Sequence, residues 1–169
     1  MLSSIGRKVA PLLCNLWLAA SLNHLSERAS ATTHIRSLLR RFPYWWQGHH
    51  ALARQALAEG DVLLAFRSAQ AVSKLEPGRI EGPLLLSRCY LARQQFEEAE
   101  THARLALVRS PSCIEAIENL SAALLPQERY SEVAEILLAV KNIDRYQNLA
   151  SVKLFLEHRA LAPSESPQQ

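Results

Sequence analysis

The chain is poor in residues that interrupt a helix. Only five glycines occur in its 169 residues. Alanine and leucine dominate, so helix is the low-cost conformation. No window alternates Val, Ile and Thr between turn residues, which argues against strands. Cysteine is also scarce: Cys14, Cys89 and Cys113 form an odd, widely spaced set. That excludes a complete disulfide framework and any C-x-x-C metal or redox site, and it suits a reducing compartment. Cys89 falls on a helix face expected to be buried and Cys113 lies beside a turn. Both read as small apolar fillers rather than reactive thiols.

Catalytic signatures are missing too. There is no G-x-S-x-G, no phosphate-cradling glycine loop and no H-E-x-x-H. His49 and His50 are adjacent, so on a helix they point about 100° apart and cannot chelate together. His24, His34, His102 and His158 are isolated. Glu97, Glu98 and Glu100 cluster, but at the start of a helix, where the helix dipole favours negative charge. No catalytic residue, metal ligand or cofactor site is therefore expected, no cofactor is implied, and the chain reads as a non-enzyme.

Acidic residues are nearly absent from the first third. Residues 1–58 hold seven Lys or Arg and one acid, Glu27, whereas residues 59–169 hold twelve and fifteen, for a net charge of +3. A basic amino-terminal part suits an acidic partner or a membrane surface, or is simply a solvated face. The cations are scattered rather than striped, which argues against nucleic acid.

What is present is a period. Pro43, Pro77 and Pro111 stand 34 residues apart. A fixed spacing of that size marks stacked helix–turn–helix repeats. Phased on these prolines, the units are 12–45, 46–79, 80–113 and 114–147; the last has Arg145 where proline stood before. The seventh place reads Leu18, Leu52, Leu86, Leu120, and the eighth Ala19, Ala53, Ser87, Ser121. The eleventh reads Leu22, Ala56, Tyr90, Leu124, and the twentieth Ala31, Ala65, Ala99, Val133. The twenty-seventh reads Leu38, Val72, Ala106, Val140. Small residues at fixed places let two helices approach, and large ones between them fill the grooves.

These places resemble the tetratricopeptide repeat (TPR) family. Leu86, Ser87, Tyr90, Phe96, Ala99, Ala106 and Pro111 carry the likeness in the third unit. The second carries it through Leu52, Ala53, Gly60, Ala65 and Pro77, the fourth through Leu120, Ser121 and Tyr130, and the first through Leu18, Ala19, Ala31 and Pro43. The second departs where Ala56, Val62 and Ala69 replace aromatic residues, and the fourth where Val133 replaces alanine. The resemblance implies an all-α fold, a right-handed α-solenoid of about four helix–turn–helix repeats over residues 12–160. A carboxy-terminal capping helix over 145–160 would close it, because a stack needs a polar outer end. The tail 161–169 is too polar and proline-rich to fold.

Local signals agree. Gly60 and Asp61 break the second unit, with Asp61 suited to cap the next helix. Pro77 and Gly78 close it, and Pro126 stops the first helix of the fourth. The amino terminus has two readings. After a basic segment 1–11, a helix from Pro11 keeps the repeat phase. Alternatively, residues 1–31 form a signal or anchor, with a basic start, an apolar centre and small residues at Ala29, Ser30 and Ala31.

In TPR proteins the first helices of successive units line a concave groove, where partners bind. The likeness projects Gln47, His50 and Arg54 into it from the second unit, Glu81, Leu84 and Arg88 from the third, and Glu115, Glu118 and Ala122 from the fourth. The first unit offers Leu13, Leu16 and Ala20, with Asn23 deeper. Arg54 and Arg88 would stand in register and grip a carboxylate or phosphate. The alternative pairs Arg54 with Glu81, or Arg88 with Glu118. The lysine–asparagine clamp that one subset of the family uses for peptide carboxy-termini is absent. Phe42, Tyr44, Trp45 and Trp46 are core between units or a ligand platform. The expected function is a cytoplasmic scaffold or adaptor that binds a protein or peptide, without nucleic acid. The alternatives are an exported or membrane-anchored assembly factor, held through residues 1–31, and an accessory subunit of a transferase.

Overall fold

The computed structural model describes residues 28–140, with 149, 152–154 and 156–157. The expectations for Leu13, Leu16, Ala20 and Asn23, for the targeting alternative and for the tail lie outside the described residues. Among the described residues seven α-helices with defined bounds follow one another: α1 (Arg28–Arg41), α2 (Trp46–Glu59), α3 (Val62–Leu75), α4 (Glu81–Ala92), α5 (Phe96–Arg109), α6 (Ile114–Leu124) and α7 (Tyr130–Leu138). No strand occurs among the described residues. The fold is an all-α solenoid, in which α3, α5 and α7 each begin 34 residues after the last.

The breaks between helices have local causes. Gly60 ends α2 in the left-handed region at φ +81°, and its N–H donates to the carbonyls of Ala56 and Leu57. Glycine carries no Cβ penalty there. The same place in the next two repeats holds Gln94 at φ 58° and Glu128 at φ 59°. The turn therefore recurs although its preferred residue does not. Asp61 caps α3 as expected, accepting from the Leu64 N–H at 3.0 Å. Pro126 sits in a short 3-10 turn, Leu125–Gln127, directly after α6 stops.

Consecutive helices pack antiparallel through the small places of the repeat. Ala53, Ala65, Ala99 and Ala106 are fully buried, as are Ser87 and Val133. The Ser87 hydroxyl donates to the Ala99 carbonyl at 2.9 Å, so the eighth and twentieth places of a repeat touch. Leu52, Leu86 and Leu120 are all buried, each in its own apolar cluster. A tighter contact lies between repeats. A Cβ on Gly82 would stand 2.4 Å from Ser73 Oγ and 3.0 Å from Ser73 Cα. Gly48 and Ala116 hold the same place in the neighbouring repeats, and both are buried.

The first helices of successive pairs touch directly, α2 with α4 and α4 with α6, whereas the second helices stand further apart. A stack that is tighter along one layer curves toward it, so α2, α4 and α6 line the concave side. At the carboxy-terminal end Leu149 is helical and buried with Leu120, Leu124 and Val133. It covers the apolar side that the last pair would otherwise expose.

One polar network ties α5 to α7. Glu100 binds Arg104 at 2.8 Å and Arg129 at 2.6 Å, and both arginines also bind Glu132. Burial pushes the Glu100 carboxyl up, but hydrogen bonds from the two arginines outweigh it and hold the group below its usual range. Glu97 and Glu98 occupy the first turn of α5, as the dipole favours. Glu100 differs from them: it acts between repeats.

Two substitutions separate these constraints. Gly82→Val is expected to destabilise by about 1–3 kcal/mol, because the backbone at Ser73 cannot yield. Gln94→Gly is expected to stabilise by up to about 1 kcal/mol, relieving a left-handed non-glycine residue. Urea unfolding of both variants checks the pair.

Candidate functional site: the concave groove

The groove is built from the inner helices. On α2, Gln47, His50 and Arg54 share one helical face, since they follow a three-and-four spacing. His50 feels Arg54 on its own helix, Glu81 on α4 and Glu115 on α6, so these four groups face a common space. Burial, reinforced by Arg54, holds the His50 imidazole below its usual range, while the two glutamates pull it upward. Its ring meets Trp46 edge-on at 6.3 Å.

A cavity of about 390 Å³ opens at the α4–α6 end. Arg88, Glu115, Glu118 and Ala122 line it, so the structure brings these projected residues together. Sequence reasoning missed Asn119, Ser121 and Leu125 in its lining, and the carboxy-terminal Leu149 and Val152 that close the far wall. Asn119 had a signal, because its place in the other described repeats is Ala51 and Leu85. Its side-chain amide donates to the Leu84 carbonyl at 3.3 Å, which locks α6 onto α4. Ser121 Oγ is buried and has no hydrogen-bond partner among the described residues.

Leu84 does not stand open in the groove. It is 9% exposed and packs with Ala106 and Ala116, so it forms floor rather than wall. Arg54 and Arg88 are both exposed, and neither is in an ion pair among the described residues. The alternative pairing of Arg54 with Glu81 is not formed. Glu81 lies 3.6 Å from Arg79 instead. Arg54 is not part of the cavity wall, so the two guanidiniums share a face without sharing a pocket.

The aromatic group divides. Trp45 packs on Ile35, Leu39 and Leu52, and Trp46 on the core between α2, α3 and α4. Arg79 lies over the Trp46 ring at 4.2 Å, a cation–π contact. Tyr44 is 83% exposed and takes no part in either core. Cys89 is fully buried, and burial pushes its thiol up to about 11, so it is not a nucleophile at neutral pH. Among the described residues no group of side chains is placed to hold a metal ion, and no helix is long and apolar enough to cross a membrane.

A second half-buried histidine lies behind the groove. His102 stacks on Tyr90, with ring centroids 5.3 Å apart and 12° between planes. Burial alone lowers its pKa.

This architecture is that of a helical-repeat protein, with a curved inner layer of first helices. Residues 56–124 match the family model for the tetratricopeptide repeat, so that stretch of the chain carries tetratricopeptide repeats. No curated protein matches the sequence. Among solved structures it is similar to TTC0263, a thermophilic TPR protein of Thermus thermophilus. The two are 20% identical over 90% of this chain and 92% of the other, with a TM-score of 0.73. It is similar to MamA of Desulfovibrio magneticus RS-1 at 18% identity, over 90% of this chain and 76% of the other, TM-score 0.66. It is also similar to the O-GlcNAc transferase of Thermobaculum terrenum at 21% identity, TM-score 0.68. That likeness covers 78% of this chain but 26% of the transferase. At such identities the likeness concerns the fold.

The histidines make stability depend on pH. Above the ordinary imidazole pKa both folded and unfolded states are neutral there, and nothing is lost. Below it the unfolded chain takes protons that folded His50 and His102 resist, so stability falls. The melting temperature is expected to drop as pH is lowered from about 7 to about 5. A His50→Gln/His102→Gln variant should lose less over the same interval. Parallel scans of the two proteins measure this.

Proposed function

We propose that the protein is a non-catalytic scaffold or adaptor whose concave groove binds a peptide or protein partner. The TPR fold supports a protein-interaction scaffold in general. The observation that carries the finer reading is the charge arrangement of the groove. Arg54 and Arg88 present two guanidiniums without carboxylate partners among the described residues, on the same layer as the cavity with Glu115 and Glu118. A ligand would set a carboxylate or phosphate against the arginines and a cation toward the glutamates. Leu125, Leu149 and Val152 give that cavity an apolar end, which suits a side chain of an extended peptide. Gln47 and His50 would line the approach, and Leu84 would support the floor. A cytoplasmic location goes with this reading and is supported by the free, buried thiol of Cys89.

Affinity capture on the tagged full chain, followed by mass spectrometry, identifies the partner. Against that partner, Arg54→Ala/Arg88→Ala is expected to bind about tenfold or more weakly, since each charge-assisted hydrogen bond is worth about 1.5–3 kcal/mol. The melting temperature should not change, because both side chains are exposed. Equal binding by the variant removes the groove reading.

A further inference from the structure

A second cleft lies on the other side of α2. On this helix Leu52 points nearly opposite to Gln47, His50 and Arg54, with His49 beside it, as 100° per residue requires. The cleft measures about 480 Å³ and runs between the second helices α1 and α3. Its charged walls are Arg36 and Arg40 from α1 and Arg67 from α3, and its apolar base is Leu39, Leu52 and Leu64. All three arginines are exposed, and none is in an ion pair among the described residues. Among the described residues no carboxylate lines the cleft.

The repeat supplies an internal control. Arg36 occupies the same place as Arg104 two units later, and Leu64 and Arg67 the places of Glu132 and Glu135. Between α5 and α7, Arg104 is held by Glu132. Between α1 and α3 the matching carboxylate is a leucine and its neighbour is a third cation. One fold geometry is thus neutralised internally at one end of the stack and left with charge of a single sign at the other. Three guanidiniums around one cleft repel each other, and an anion from outside would relieve this.

We propose that this outer cleft is a docking surface for an acidic peptide segment bearing an apolar side chain, distinct from the concave groove. Guanidiniums bind carboxylates in bidentate fashion. The leucine base asks for a hydrocarbon group between those carboxylates, which a free phosphate does not supply. Leu39 and Leu52 are buried at the bottom of the cleft, out of reach of a flat bilayer. Peptide side chains reach such a recess.

The test is fluorescence anisotropy on the full chain with a short labelled peptide of glutamates flanking one leucine. Binding is expected, and it should weaken as salt is raised. Arg36→Gln/Arg67→Gln should reduce affinity about tenfold or more, with a melting temperature equal to or above that of the parent. Arg54→Ala/Arg88→Ala should bind the probe normally, which separates this cleft from the groove. Any of five results overturns the proposal. These are no binding, equal binding by Arg36→Gln/Arg67→Gln, and equal binding of a probe with glycine for leucine. The others are displacement by inorganic phosphate or by phosphatidylserine vesicles at matched charge, and self-association of the chain that the Arg36→Gln/Arg67→Gln variant abolishes.

Discussion

The structure depends on how closely neighbouring helices can lie. No single pair hides its apolar face, so each leans on the next. The approach is set by atoms that are not there: side chains beyond Cβ at Ala53, Ala65, Ala99 and Ala106, and Cβ itself at Gly82. Because inner helices meet more closely than outer ones, the stack curves and a groove follows. The groove is a geometric consequence of small residues in the core.

Charge is laid over that geometry unevenly. Between α5 and α7 two arginines and two glutamates close a ring, and the surface there is internally balanced. Between α1 and α3 the corresponding places carry arginines over leucine. The inner layer runs from Arg54 toward Glu115 and Glu118. The repeat therefore presents similar shapes with different charge, and charge complementarity chooses partners more than shape does. On the readings proposed above, a groove inside and a cleft outside would hold two partners at once, which is what an adaptor requires.

Fold alone does not name a partner, because one architecture serves many tasks. What narrows the choice is chemistry at particular places. Cys89 is withdrawn from reaction by burial, His102 stacks on Tyr90, His50 meets Trp46 edge-on, and His49 is hydrogen-bonded to the Pro43 carbonyl.

Much of this was legible in the residues. Period, helix limits, the Asp61 cap and the buried phase at Leu52, Leu86 and Leu120 follow from spacing and local propensity, which act along the chain. The recurring left-handed turn was readable only at Gly60, since Gln94 and Glu128 give no such sign. The groove was half legible. Which places face inward follows from helical phase. That Leu84 becomes floor, that Asn119 fastens to its carbonyl, and that Leu149 closes the wall depend on neighbours far away in sequence. The same holds for charge. Counting showed the first third to be basic, but only packing placed Arg36, Arg40 and Arg67 around one cleft and set Glu132 against Arg104. Local order is written in neighbouring residues, whereas partners across a helix interface are chosen by distances that only the folded stack creates.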